Sequence, residues 1–523
     1  MLGRRRQRDM RAVAARWITA ALLVAASLVG CARAPVEPGA SLEVFADHVD
    51  ASVATATRRD RVPGVAVALV RDGEVAWTRA YGVADVERGE RMTVDAVFHT
   101  GSISKPVTAW GVRRLVEQGR IGLDDPVVEY APDLRIEGAT SLSDEVTVRR
   151  ALSHKTGAWL GPLGREYPVD QAPPPAIDAL ARDLRFVAPP GTTFRYSNHG
   201  FDLLELVVER ASGRPFAAYM RDEVLGPLGM DDASFAWRDA ASGRVPMGYD
   251  LRGRPVTPFV YATKASGGLF ATVRDVARFV AASARPGGRA VLSGPAVREL
   301  HTPVVSIPGA FGVVADGYGL GHFVEELAGD RTAVWHGGQG HGWMTHLHAV
   351  PELGAGIVVL TNSQRSWPLI SLLVRDWAHW TGVGAVKVAR IGYGVAVVRL
   401  LAVALLVASL GLAARVVGAV RARRLRFAPL DRAARRRRTA QAAVALAAIA
   451  GLAWSAAQPY LLVTSVFPGA IERAAWATLL LAATLIATAG FVPRADRTAP
   501  WRTDADSPDD RPRAIDRRPP SSR

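Results

Sequence analysis

Phe98-His99-Thr100-Gly101-Ser102-Ile103-Ser104-Lys105-Pro106 is the stretch on which the reading of this chain turns. Ser102 and Lys105 stand three residues apart, so a helix beginning here puts both side chains on one face. Pro106 suits a first helical turn and would break a helix interior. A serine hydroxyl is a weak nucleophile until a neighbour takes its proton. Lysine does this once desolvation or nearby charge lowers its pKa. The positive end of the helix dipole beside Ser102 would also favour an alkoxide. The spacing alone is common, and alone it favours an N-cap serine with an exposed lysine.

Two segments further along change that balance. They are Pro190-Gly191-Thr192-Thr193-Phe194-Arg195-Tyr196-Ser197-Asn198 and Trp335-His336-Gly337-Gly338-Gln339-Gly340. Singly, Tyr196 reads as a half-buried core tyrosine, Asn198 as the cap of a helix over 199–211, and the glycine pair as a turn. In order, Ser-x-x-Lys, Tyr-x-Asn and His-Gly-Gly resemble the serine β-lactamase and penicillin-binding-protein superfamily. The likeness is to its class C β-lactamase-like branch, with D-Ala-D-Ala carboxypeptidases, D-amino-acid peptidases and esterases. It covers roughly residues 40–385 and extends to Leu152–Gly157, Gly200–Leu204, Val224–Met230 and Ala265–Leu269.

The resemblance implies a role for each residue. Ser102 is the acylated nucleophile, with Lys105 moving its proton. Tyr196 shuttles that proton to the leaving group and activates the deacylating water. Asn198 orients Lys105 and the substrate, and His336 lines the pocket where many relatives have lysine. The backbone N–H groups of Ser102 and Gln339 form the oxyanion hole, with Gly337 and Gly338 letting substrate approach the strand. No cofactor is implied.

Other patterns are weaker. Lys155-Thr156-Gly157 spells a third β-lactamase motif, but it lies between the first two motifs, so Lys155 is not read as catalytic. His336, His341, His346 and His348 cluster, yet no His-Glu-x-x-His is present, so no metal site is expected and these read as strand and turn histidines. Thr100 and Ser104 around Ser102 exclude a Gly-x-Ser-x-Gly elbow.

The elements around these motifs give the fold class. Residues 41–58 have helical apolar spacing. Val65–Val70 and Val75–Ala80 flank Asp72-Gly73, a hairpin signal. Residues 106–300 read as mainly helical. Strands return at Thr332–His336, Trp343–Val350 and Gly356–Leu360, and 366–381 closes as a helix. Strands at both ends with helices between predict an α+β fold, a β-lactamase-like antiparallel sheet flanked by a helical subdomain.

Charge and hydropathy place this body. The net charge is +15, and two arginine runs, residues 1–16 and 421–438, supply +5 and +8 of it. Both abut apolar stretches, so the charge reads as membrane topology rather than a nucleic-acid surface. Residues 1–34 read as a signal or lipoprotein-type segment. Their apolar core is 17–30, and Leu28-Val29-Gly30-Cys31 resembles a lipobox with Cys31 as lipid acceptor. Cleavage after Ala34 or retention as an anchor are the alternatives. Cys31 is the only cysteine, so disulfides within the chain and cysteine-based metal sites are excluded.

Residues 391–493 hold three apolar runs, Leu400–Ala414, Thr439–Ile471 and Ala474–Val492, read as three transmembrane helices. The first is long enough if Arg399 and Arg415 snorkel to opposite headgroup layers. The basic loop 421–438 is then cytoplasmic and residues 35–390 lie outside the cytoplasm. The tail 494–523 reads as disordered.

The expectation is a multi-pass, membrane-anchored, extracytoplasmic serine hydrolase. It would form an acyl-enzyme on small ester or amide substrates, D-amino-acid peptide-like or peptidoglycan-like, with membrane lipid around its anchor and no nucleic acid. A true β-lactamase is one alternative, set back by His336. The other is a tethered sensor that binds cell-wall peptide or β-lactam without turnover.

Overall fold

A computed structural model of the chain describes residues 34–137, 142–161, 165–237, 243–285, 291–457 and 462–494. The expected signal or lipoprotein-type segment with Cys31 and the expected disordered tail from 495 onward lie outside them. The first strands, β1 (Gly64–Arg71) and β2 (Glu74–Asp85), form the expected hairpin. Asp72 and Gly73 turn it with φ of 54° and 71°. Positive φ at both central residues is what a tight hairpin matching strand twist requires, and Asp-Gly tolerates it.

The remaining strands of the main sheet are β3 (Glu90–Arg91), β4 (Val305–Ser306), β5 (Gly317–Tyr318), β6 (Phe323–Leu327), β7 (Arg331–Gln339), β8 (Met344–Val350) and β9 (Ala355–Thr361). Their order is β4-β5-β6-β7-β8-β9-β1-β2-β3, antiparallel throughout. The early hairpin thus pairs through β1 with the late strand β9, joining the two ends of the α+β body.

Strand periodicity sorts the side chains into two cores. Val65, Val67, Leu69, Ile357 and Val359 face one side and pack with helices α1 (Leu42–Asp60) and α5 (Trp367–Trp380) through Phe45, Val49, Leu369 and Trp377. Ala66, Ala68, Val70, Val358 and Leu360 face the other. They pack with α2 (Ser104–Glu117), α3 (Asn198–Ser212) and α4 (Val273–Ala284) through Val107, Phe201 and Val280. Small alanines on this face let the helices approach the sheet.

One buried side chain fastens the edge of this arrangement. Asn362, just past β9, accepts from the Gly64 N–H at 2.7 Å and donates to the carbonyls of Val83, Ala84 and Met247.

Among the described residues, three helices are long and apolar enough to cross a membrane: α6 (Arg390–Arg421), α7 (Arg435–Ala456) and, after a short helix α8 (Leu462–Val466), α9 (Ala470–Ala489). Their limits correct the hydropathy reading in three ways. The run Leu400–Ala414 lies inside a helix of 32 residues, about 48 Å long. Arg399 does not reach for a headgroup layer alone, since its guanidinium lies 3.6 Å from the buried Asp60 carboxylate at the end of α1. The first turns of α6 therefore run against the α+β body. The run Thr439–Ile471 is not one element either: α7 ends at Ala456, α8 is separate, and α9 begins at Ala470 with Glu472 and Arg473 in its first turn.

Asn362→Ala leaves a buried N–H and buried carbonyls without partners, and is expected to lower stability by about 2–4 kcal/mol. Denaturant unfolding of the solubilised chain measures it. A loss within about 0.5 kcal/mol, ordinary for a surface change, would contradict the assignment.

Candidate active site

The turn that carries Ser102 is held from several directions. Gly101–Ile103 form a 3₁₀ turn that runs into α2. Ser104 fixes it by donating to the Gly101 carbonyl at 2.7 Å and accepting from the Leu269 N–H at 3.0 Å. One turn on, Lys105 points back over Ser102, as the three-residue spacing predicts.

Lys105 is fully buried. Its Nζ lies 3.0 Å from Ser102 Oγ, 2.8 Å from Asn198 Oδ1 and 2.8 Å from the Ser266 carbonyl. The Tyr196 ring centroid lies 5.0 Å away. Burial pushes the Lys105 amine down to about 7, against the opposing pull of the Asp202 carboxylate. The three contacts satisfy either charge state. An ammonium donates to all three oxygens. A neutral amine donates to Asn198 and Ser266 and accepts the Ser102 hydroxyl proton with its lone pair.

Asn198 reaches Lys105 because it does not cap its own helix. Ser197 is the N-cap, accepting from the Gly200 N–H at 3.2 Å, and Asn198 is the first residue of α3. The cap position belongs to Ser197, which leaves the Asn198 side chain to meet Lys105.

The third segment forms the opposite wall. Strand β7 passes so close to the Ser102 turn that a β carbon on Gly338 would lie 2.0 Å from the Thr100 carbonyl oxygen. A β carbon on Gly101, whose φ is 56°, would lie 3.1 Å from the Gln339 backbone nitrogen. Only glycines permit this approach. Thr345 on β8 braces it with a 2.6 Å bond to the Thr100 carbonyl. The Gln339 backbone nitrogen thus stands beside the turn that carries Ser102. The Gln339 side chain turns away and donates to Ser465 Oγ at 2.9 Å.

His336 is buried, with Nδ1 2.9 Å from the Gly337 carbonyl and Nε2 3.3 Å from the Tyr318 hydroxyl. Burial, then the Lys105 charge, holds it well below the ordinary histidine range, so it is neutral. The contacts fit Nδ1–H donating to the carbonyl and Nε2 accepting from Tyr318. The ring lies 6.1 Å from that of Tyr196.

Sequence reasoning missed four groups here. Asp202 is buried one helical turn after Asn198 and accepts from the Ser266 N–H at 3.2 Å. Glu205, on the same helix face, accepts from the Ala265 N–H at 3.0 Å. Together they hold the loop whose Ser266 carbonyl receives Lys105. His154, with φ of 56°, accepts from the Ser197 N–H at 3.2 Å and lays its ring 4.2 Å from that of Tyr196. Tyr318 orients His336. The signal for Asp202 was its i, i+4 relation to Asn198. Nothing local marked the others.

The remaining readings fall elsewhere. Lys155 lies beside Arg149, Arg150 and Glu145, away from Ser102. His341 lies 3.1 Å from Glu166. His346 and His348 are buried among Trp335, Trp367 and Trp377. Among the described residues, no three His, Cys, Asp or Glu side chains group as a metal site.

Known proteins resemble this chain over the same region. The family description Beta-lactamase matches residues 45–377. Esterase EstB of Burkholderia gladioli is 30% identical over 369 residues, 61% of this chain and 91% of that protein. Penicillin-binding protein 4 of Amycolatopsis lactamdurans is 29% identical over 60% of this chain and 84% of its own length. Among solved structures, the octameric penicillin-binding protein homologue from Pyrococcus abyssi aligns with a TM-score of 0.55 and 28% identity, covering 64% of this chain and 76% of that one. A class C β-lactamase shares the fold, with a TM-score of 0.52 at 20% identity over 62% of this chain and 94% of its own. With its family match running from α1 to α5 around the buried Ser102–Lys105 pair, this chain belongs to the β-lactamase family of serine hydrolases.

Proposed function

We propose that the chain is a membrane-anchored, extracytoplasmic esterase-type hydrolase working through an acyl-enzyme on Ser102. The observation that carries this is the Lys105 amine, buried and 3.0 Å from Ser102 Oγ. Lys105 in its neutral form takes the Ser102 proton as Oγ bonds to the ester carbonyl carbon. The backbone N–H groups of Ser102 and Gln339 receive the developing oxyanion. The carbon–oxygen bond to the leaving alcohol then breaks, and Tyr196 delivers the proton to that alcohol. Water activated through Tyr196 splits the acyl-enzyme, releasing the acid and restoring Ser102.

His336 supports an ester over a carboxylate-bearing peptide or β-lactam. A lysine there would offer a cation to a substrate carboxylate. A buried neutral imidazole bonded to Tyr318 offers none. The arginine-rich connection 421–438 supports the outward orientation, since such loops stay in the cytoplasm.

Three outcomes follow. A fluorophosphonate should add to the wild-type protein, seen as intact mass, and not to Ser102→Ala; equal labelling of both would sink the assignment. An adduct formed with ester substrate that persists for hours would instead favour a sensor. Next, kcat/KM should rise through about pH 7 as Lys105 loses its proton. Asp202→Asn removes the anion that holds that proton on, so the rising limb should move to lower pH; a shift to higher pH would contradict the pairing. Finally, Gly338→Ala pushes β7 off the nucleophile turn and should cut turnover about 100-fold, with the folded state retained by circular dichroism.

A further inference from the structure

The wall of the cleft continues into the membrane-spanning part of the chain. Gln339, whose backbone nitrogen stands beside the nucleophile turn, donates its side-chain N–H to Ser465 at 2.9 Å. Ser465 is fully buried and sits on α8, in the connection between the second and third apolar helices. That connection is wedged in place: α8 packs against α5, and a β carbon on Gly394 of α6 would lie 2.9 Å from the Phe467 ring.

A second tie reaches the other side of the cleft. Arg390, the first residue of α6, donates to the Val313 carbonyl at 3.0 Å. Val313 ends the 3₁₀ turn Gly309–Val313, whose Phe311 ring stacks 5.8 Å from that of Tyr196. Both walls of the Ser102 cleft are therefore tied to the same ends of the apolar helices. Tyr393, one turn into α6, and Trp454, near the end of α7, are 63% and 67% exposed there. Tyrosine and tryptophan at helix ends mark the level where bilayer meets water. The Arg399–Asp60 pair, six residues beyond Tyr393 on α6, falls within the headgroup layer by the same measure. The 22 residues from Leu400 to Arg421 then cover about 33 Å, the thickness of the hydrocarbon core.

We propose that this site takes its substrate from the bilayer surface: an ester or amide whose hydrocarbon chain remains in the outer leaflet, with α8, anchored to Gln339 by the buried Ser465, on the side from which that chain enters. This rests on the acyl-enzyme reading of Ser102 and names its substrate class. The amphiphile's carbonyl reaches Ser102 at headgroup level, while its chain follows the α8 side of the cleft back into lipid. A water-soluble substrate would gain nothing from a cleft wall built out of a membrane connection.

The test uses the full chain reconstituted in phosphatidylcholine vesicles and two fluorophosphonates, one with a short alkyl group and one with a long chain. In each reaction the serine Oγ replaces fluoride on phosphorus, and labelling rates of Ser102 are compared. The long-chain probe is expected to react at least tenfold faster than the short one. Ser465→Trp, which breaks the bond to Gln339 and pushes α8 out of place, should lower that ratio at least fivefold. Ser465→Ala, which removes only the hydroxyl, is the second variant should the first fail to fold, and should lower the ratio at least twofold. Labelling of Ser102 by the short probe at an equal or greater rate, or a ratio unmoved by the folded Ser465 variants, would overturn the proposal while leaving the acyl-enzyme intact. No labelling of Ser102 by either probe would overturn the acyl-enzyme reading and this proposal with it.

Discussion

Everything in this site depends on one amine kept out of water. Lys105 has no exposed surface, and its Nζ is surrounded by Ser102 Oγ, Asn198 Oδ1 and the Ser266 carbonyl. Burying a lysine disfavours its charge, and that is what frees a lone pair for a serine proton. The cost of desolvation is offset without restoring a full-time cation. Two neutral oxygens hold the amine in place, and the Asp202 carboxylate acts on it while bonded elsewhere, to the Ser266 N–H. A direct ion pair at that spot would keep the lysine protonated and the serine inert.

The fold supplies this environment by bringing three distant segments to one point. Helix α2 presents Ser102 and Lys105 from one turn. Helix α3 presents Asn198 from its first turn because Ser197 does the capping. Strand β7 closes the site because Gly101 and Gly338 let backbone meet backbone. The sheet holds β7 through long pairing with β6 and β8, so the glycine-lined contact rests on a rigid element rather than a loop.

Much of this was legible in the chain itself. The β-type runs Val65–Val70 and Val75–Ala80 and the Asp72-Gly73 turn between them specify a hairpin by local physics alone. The ordered motifs, by resemblance, pointed to Ser102, Lys105, Tyr196, Asn198 and His336, which the fold gathers around the buried Lys105 amine. What stayed hidden is long-range or backbone-borne. The Ser266 carbonyl is a main-chain group that no residue type advertises. His154 acts from a left-handed turn against a tyrosine more than forty residues away in sequence. In the apolar region, hydropathy averages over α8, because a short helix of Leu462–Val466 is as apolar as a span. Likewise, Arg399 reads as a snorkelling cation until Asp60 is found beside it.

The most direct test of the account is the titration of Lys105 itself. The chain's lysines are Lys105, Lys155, Lys264 and Lys387, so ¹³C labelling at the ε-carbon gives a sparse spectrum. Loss of one signal in Lys105→Arg identifies it. The account predicts that the Lys105 ε-carbon titrates near pH 7. A Lys105 signal that titrates near the ordinary lysine value, about 10.5, would contradict it, for a permanently charged amine cannot take the proton of Ser102.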